Sequence, residues 1–299
     1  VSTGQVDHRI LLGTDIRRYD ADESSQFGTA SDFDLRDPRR NGADPVFSFA
    51  PSAGDVTLRQ VGIYAQDEMS FGNWRAVAGL RYDWVEQEGD RYGSPSEFKD
   101  TEFTGRLGLS YVMANGVTPY ATYSTSFDPQ AGNETSRSTV TNETANLGAL
   151  KPTEGEQFEL GVKYRPLGFD GLFTAALYDL TQKNVTRTLQ EGDFVNTSQI
   201  GEVKSRGLEL EGTAELAEGW SLRASYAYNM TDQVAPGDGA LDGNELPDAP
   251  NPRASLWLDH AFGNGLSGGA GLRHVGERFR DAANSGKLDD MTLLDAAAR

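Results

Sequence analysis

The sequence predicts an all-β fold, an antiparallel up-and-down transmembrane β-barrel, here a partial wall of about twelve strands. Three observations lead there. Apolar and polar residues alternate along stretches of about ten residues, aromatic residues sit toward the ends of those stretches, and tight turns alternate with longer polar links. Successive Cβ atoms point to opposite sides of a strand, so a period of two collects the apolar residues on one surface. No run approaches the ~18 consecutive apolar residues of a membrane helix, so any membrane crossing must be made by strands.

The strands are expected near 6–19, 57–70, 74–87, 102–113, 117–127, 155–165, 171–183, 194–216, 220–230, 253–262, 266–279 and 291–299. In 74–87, Trp74, Ala76, Ala78, Leu80, Tyr82 and Trp84 fall on one phase, opposite Arg75, Val77, Gly79, Arg81 and Asp83. In 102–113, Phe103, Gly105, Leu107, Leu109, Tyr111 and Met113 oppose Glu102, Thr104, Arg106, Gly108 and Ser110. In 220–230, Trp220, Leu222, Ala224, Tyr226, Tyr228 and Met230 oppose Ser221, Arg223, Ser225, Ala227 and Asn229. The stretch 194–216 is long for one strand and is expected to rise above the membrane or carry a bulge.

Tight turns are expected at 71–74, 114–117, 217–220 and 262–265, each bearing Gly or Asn, which tolerate the positive φ of hairpin turns. A slightly longer turn spans 165–171. Between them lie polar links at 21–56, 88–100, 128–153, 184–193, 231–252 and 280–290. A soluble sandwich also alternates apolar and polar residues but has no reason to gather its long links at one end. Outer-membrane barrels do, with short turns on the periplasmic side and long loops outside.

The balance of 27 Lys and Arg against 45 Asp and Glu, a net charge of −18, makes nucleic acid an unsuitable partner, because phosphate binding requires a basic surplus. With no cysteine there is neither a disulfide framework nor a thiolate metal site. The mean hydropathy of −0.53 is compatible with a membrane wall, since only alternate strand residues meet lipid. Val1 opens no secretory signal, and 291–299 reads as a strand just begun; the chain is expected to be a fragment of a longer barrel.

Charged residues on the polar phase are Arg75, Arg81, Asp83, Arg106, Glu159, Lys163, Glu209, Glu211, Arg223, Asp259 and Arg273. Both signs on an enclosed surface suit a wall that pairs with a folded interior domain, and also suit a water-filled channel; phase alone does not separate the two. Other motifs carry less. Gly265-Leu266-Ser267-Gly268-Gly269 matches a nucleophile elbow but spans a hairpin turn, where the required strand–turn–helix is lacking. Asp238, Asp242, Asn244, Glu245 and Asp248 form an acidic cluster without EF-hand spacing, best read as a solvated loop. His8, His260 and His274 fall in separate strands without metal-ligand spacing. The sequons at Asn133 and Asn196 carry little weight in a bacterial-looking chain.

A family resemblance emerges from several segments in order. Leu150-Lys151-Pro152-Thr153-Glu154-Gly155-Glu156-Gln157-Phe158-Glu159-Leu160-Gly161-Val162-Lys163-Tyr164 resembles a strand of TonB-dependent siderophore receptors. Gly62-Ile63-Tyr64-Ala65-Gln66-Asp67-Glu68, Tyr123-Ser124-Thr125-Ser126-Phe127-Asp128-Pro129 and Val203-Lys204-Ser205-Arg206-Gly207-Leu208-Glu209-Leu210-Glu211 extend it over nearly the whole chain, and the set is most similar to the ferrichrome, or hydroxamate, branch.

The resemblance implies a bacterial outer-membrane receptor for ferric siderophore uptake, energised through the TonB complex, with a parent barrel of the 22-stranded plugged class; that strand number is about right for outer-membrane transporters. On this reading residues 1–299 are one partial barrel domain. Plug, terminal strands and TonB-contacting region lie outside it, and the chain alone is not expected to transport. A passive porin-like channel is the alternative. No enzyme activity and no cofactor is implied, because iron arrives held by the siderophore. The polar-phase charges would face lumen and plug. Phe127 stands where the family presents an aromatic to the chelate, although its phase groups it with Ala121 and Tyr123 toward lipid. Phe47, Phe49 and Tyr92, in outward links, are further ligand candidates.

Overall fold

The computed structural model describes residues 1–26, 28–29, 46–47, 52–91, 94–141, 143–235, 241–263 and 265–299. Its wall strands are β1 (Val6–Ser25), β2 (Ser52–Phe71), β3 (Trp74–Arg91), β4 (Ser94–Tyr111), β5 (Val117–Asp128) and β6 (Thr153–Tyr164). They continue as β7 (Gly171–Glu191), β8 (Phe194–Ala217), β9 (Trp220–Val234), β10 (Arg253–Phe262), β11 (Leu266–Val275) and β12 (Met291–Ala298). Each pairs antiparallel with the next in one sheet, and Ser2–Thr3 folds back on the start of β1. The order is linear: among the described residues no register pair joins β1 to β12.

Register shows why the alternation in the sequence persists through the sheet. Antiparallel partners point to the same side, so a strand's apolar phase stays apolar only if its neighbour is in step. Leu80 faces Ala65 and Gly105, Leu107 faces Tyr123, Phe158 faces Tyr123, and Leu160 faces Leu177. Leu177 faces Leu208, which faces Tyr228. Nothing among the described residues covers this face: Phe103 is 58% exposed and Leu107 60%. In water such a continuous apolar surface would be a liability; against hydrocarbon it is the surface a wall needs.

Aromatic rings collect where the tight turns lie. Trp74 packs between Phe71 and Tyr111, Phe173 between Tyr164 and Phe169, and His260 between Trp220 and Phe262. Tyr82 and Trp84, with centroids 4.7 Å apart, stand toward the other edge of the apolar band on β3. Amphipathic rings favour both membrane–water boundaries, so the band lies between these two levels. Gly72 and Gly219 turn with φ of 55° and 76°, a conformation that a side chain disfavours.

Three expectations need correction. The stretches 88–100 and 184–193 are not long links: β3 and β4 run on to Arg91 and from Ser94, and β7 and β8 meet across a turn at 192–193. Above the membrane both faces of a hairpin are wet, so strand and polar loop have the same composition. The strand expected over 266–279 stops at Val275, because Gly276 lies against the backbone of Asn251 and Pro252; Arg278–Phe279 then pairs with Lys287–Leu288. The stretch 194–216 is, as expected, one long strand with a bulge: Phe194–Ala217, with a register shift between Glu215 and Ala217.

Candidate functional site

The polar face of the wall is the surface with functional chemistry, and all eleven charged residues chosen by phase lie on it. Gly79 pairs with Arg106, Arg106 with Ser124, Ser124 with Gln157, Gln157 with Leu180, and Leu180 with Ser205. Stepping by two along β8 reaches Glu209 and Glu211, opposite Ala227 and Ser225, and the same face continues through Arg223, Asp259 and Arg273.

Much of this charge is neutralised within the wall. Arg81 sits at the centre of a cross-strand cluster: Nη1 is 2.5 Å from Asp15 Oδ1, and Nε donates to Asp83 Oδ2 at 2.6 Å. Asp83 is 1% exposed and also accepts from Gln60 Nε2 at 2.8 Å. The guanidinium crosses β2 at Gly62, where an added Cβ would overlap it. A planar fork bonded on two sides is the arrangement that allows carboxylates to be buried. Tyr120 donates to Glu159 at 2.7 Å while Lys163 lies 5.1 Å over its ring. Arg223 pairs with Asp259 at 3.4 Å and Arg273 with Asp295 at 3.7 Å. Arg75 donates to the carbonyls of Gly72 and Trp74 and so braces its own turn. Arg106, Glu209 and Glu211 form no ion pair with a described residue.

Phase reasoning missed Asp15, Gln60, Tyr120 and Asp295. Asp15 does alternate with Arg9, Gly13 and Arg17, but Leu11 interrupts that series. Phe127 keeps the phase its sequence gives it. Register runs without a shift from Tyr123 opposite Phe158 to Phe127 opposite Glu154, so Phe127 stays in step with Tyr123. Phe47 is exposed on a two-residue ladder with Gly28–Thr29; Phe49 and Tyr92 lie outside the described residues.

At the outer end, residues 129–141 and 143–152 form a strap over the polar face. Its hairpin, Asn133–Ser138 with Thr144–Ala149, reaches across to pair with β8 at Phe194–Thr197. Its near end rests on Gln87, which is fully buried and exchanges two 3.1 Å hydrogen bonds with Gly132. Beneath it the polar phase becomes apolar, with Leu58 and Val85 each 4% exposed. On the opposite face, just above Trp84, the pattern turns ionic. Lys99 bridges Glu86 and Glu97 at 2.9 and 2.6 Å, and its ammonium holds the Glu86 carboxyl below the usual range.

The arrangement suits binding. Among the described residues no group of three His, Cys, Asp or Glu is placed to hold a metal. His8 bonds Asp67 at 2.6 Å, His274 bonds Thr292 at 3.0 Å, and Ser267 lies on β11 with no helix behind it.

Comparison with known proteins agrees with this architecture. The family model described as TonB dependent receptor-like, beta-barrel matches residues 2–299. The ferrichrome outer membrane transporter/phage receptor of Escherichia coli (strain K12) is 34% identical over 319 residues, covering 100% of this chain and 40% of that protein. The ferrioxamine receptor of Yersinia enterocolitica is 31% identical over 306 residues, covering 99% and 41%. The chain therefore spans about two-fifths of the length of these relatives. Among solved structures, the siderophore receptor PiuA from Acinetobacter baumannii superposes with a TM-score of 0.77 at 21% identity, covering 100% of this chain and 47% of that one. The unliganded ferric citrate transporter FecA gives 0.74 at 18% identity, covering 99% and 44%.

Proposed function

This chain belongs to the TonB-dependent receptor β-barrel family, and from that premise we propose that its parent takes up a ferric siderophore of hydroxamate type across a bacterial outer membrane. The observation that carries the substrate class is the likeness, along the entire chain, to receptors for ferrichrome and ferrioxamine. The twelve strands are a portion of a plugged barrel of about 22. The apolar face meets lipid, and the polar face packs on the plug. Arg106, Glu209 and Glu211, which make neither an ion pair nor a side-chain hydrogen bond with a described residue, are the charges left for that contact. The outer loops receive the chelate, with Phe47, Phe49 and Tyr92 as apolar contacts. Iron stays coordinated by the siderophore.

Work for release comes from the inner membrane through TonB, because a plugged lumen offers no passive path. Uptake of radiolabelled ferric hydroxamate by cells carrying the parent protein tests this. Uptake should be saturable and vanish when TonB is removed. TonB-independent passage of unrelated small solutes would establish a passive channel instead.

A further inference from the structure

Three outer loop segments are held by the same device, a carboxamide side chain that hydrogen-bonds both the N–H and the C=O of one residue in the loop. Gln87 Nε2 donates to Gly132 O and Gln87 Oε1 accepts from Gly132 N, both at 3.1 Å. Gln199 Nε2 donates to Lys151 O at 2.7 Å and Oε1 accepts from Lys151 N at 2.9 Å. Asn284 Nδ2 donates to Glu245 O and Oδ1 accepts from Glu245 N, both at 2.9 Å. A primary amide carries one acceptor and two donors in a plane, so it can imitate the missing neighbour of a short extended segment. That satisfies loop backbone which could not otherwise be buried.

The three amides share a location. Gln87 and Gln199 stand on the outer parts of β3 and β8 and grip the strap at its two ends. Gln199 Nε2 also bonds Asn184 O at 2.8 Å, and Gln199 N bonds Glu134 Oε1 at 2.7 Å, so β7, β8 and strap meet at one residue. Asn284 joins the link 276–290 to residues 241–252. Gln233, 2% exposed near the end of β9, completes that junction by donating to Glu245 O at 3.0 Å and Ala282 O at 3.1 Å.

We propose that Gln87, Gln199, Gln233 and Asn284 are positioning residues that hold the outer loops folded before any ligand arrives, so this part of the mouth is a preassembled receiving surface. The inference rests on the reading of the outer end as the ligand side. Each loop is tied independently: Gln87 and Gln199 govern the strap, Gln233 and Asn284 the paired links. Preassembly lowers the ordering cost that binding would otherwise bear.

The test uses the full parent protein, folded in lipid, without ligand. Spin labels are placed on the exposed strap residue Val140 and on the exposed hairpin residue Glu97, and their separation is read by pulsed electron resonance. Wild type should give one narrow distance distribution that ferric hydroxamate leaves unchanged. Gln87→Met and Gln199→Met, which keep the side-chain length but lose both hydrogen bonds, should each broaden it. Gln233→Met should not. Resistance of the unheated barrel to detergent should persist in all three, separating a loosened strap from a misfolded wall. A broad wild-type distribution that sharpens only with ligand, or a distribution unaltered by the Gln87 and Gln199 changes, would overturn the proposal. Since the readout needs no uptake, it fails independently of the transport reading.

Discussion

Arg81 reaches Asp15 only because the strand between them presents glycine at position 62. Replacing Arg81 by Leu removes the cation bonded to Asp83, which is too buried to be rescued by water. Breaking a buried pair from one side costs about 3–5 kcal/mol. Arg81 and Asp15 remain partly solvated, so about 2–4 kcal/mol is expected for Arg81→Leu in urea unfolding of the lipid-folded parent. Gly62→Val should be similarly damaging, whereas Gly72→Ala, in a turn with open space around it, should cost only about 1 kcal/mol. Equal losses at Gly62 and Gly72 would show that the cluster contributes nothing special. Arg81 and Asp83 were legible as polar-phase residues two positions apart. Asp15 was not identified as their partner, because 66 residues separate it from Arg81 and only the strand register brings them together.

The lipid side supplies the converse test. Leu107 lies between Leu109 and Phe103 on the exposed apolar phase of β4. Leu107→Arg should destabilise insertion by about 2–4 kcal/mol, the cost of a cation near midplane depth. An arginine at Thr122, on the polar phase of the neighbouring β5 and opposite Gly108 and Glu159, should cost less, because that face is polar and Glu159 offers it an opposite charge. Folding titrations into vesicles measure both. If the two substitutions cost the same, the assignment of faces is wrong.

Elements show where legibility ends. All twelve wall strands could be read from alternation, since one face of the wall is apolar and the other polar. Alternation fades above Trp84 on β3 and beyond Lys183 on β7, where neither side meets hydrocarbon, and strand becomes indistinguishable from loop in composition. The folded links are harder still. The turn 281–285 is organised by Asp281, whose carboxyl accepts the Ser285 hydroxyl and, at 2.8 Å, the Ser285 amide. Those bonds hold the Asp281 carboxyl below its ordinary 3.8. A depressed folded value means the contribution is complete above 3.8 and lost as pH falls below it toward the folded value. Hydrogen exchange over 277–290 should therefore be flat at neutral and mildly acid pH and rise only in strong acid. Ser285→Ala, which removes one donor, should shift that rise to higher pH. A rise already complete well above 3.8 would exclude Asp281 as the organising group.

At the scale of the whole molecule, the sequence order of strands is also their spatial order, so the wall could be drawn from the chain once tight turns and strands were recognised. What neither order nor phase supplies is closure. β12 pairs with β11 along one edge, and among the described residues its other edge has no strand beside it; β1 is met on its outer edge only by Ser2–Thr3, at its base. In lipid, each backbone N–H or C=O left on such an edge costs on the order of 1 kcal/mol or more, so a row of them outweighs the net stability of an ordinary domain. The 299-residue chain expressed by itself should therefore fail to give a heat-modifiable, protease-resistant monomer in vesicles. It should instead associate through its edges, since an unpaired strand is a template for another. The full parent, refolded in parallel, should insert as a monomer. Cysteines placed on β1 and β12 at matching depth should stay uncrosslinked within a single copy of the short chain. A monomeric, protease-resistant species with that crosslink formed would mean that twelve strands close by themselves, and the wall would then be a small channel rather than part of a plugged receptor.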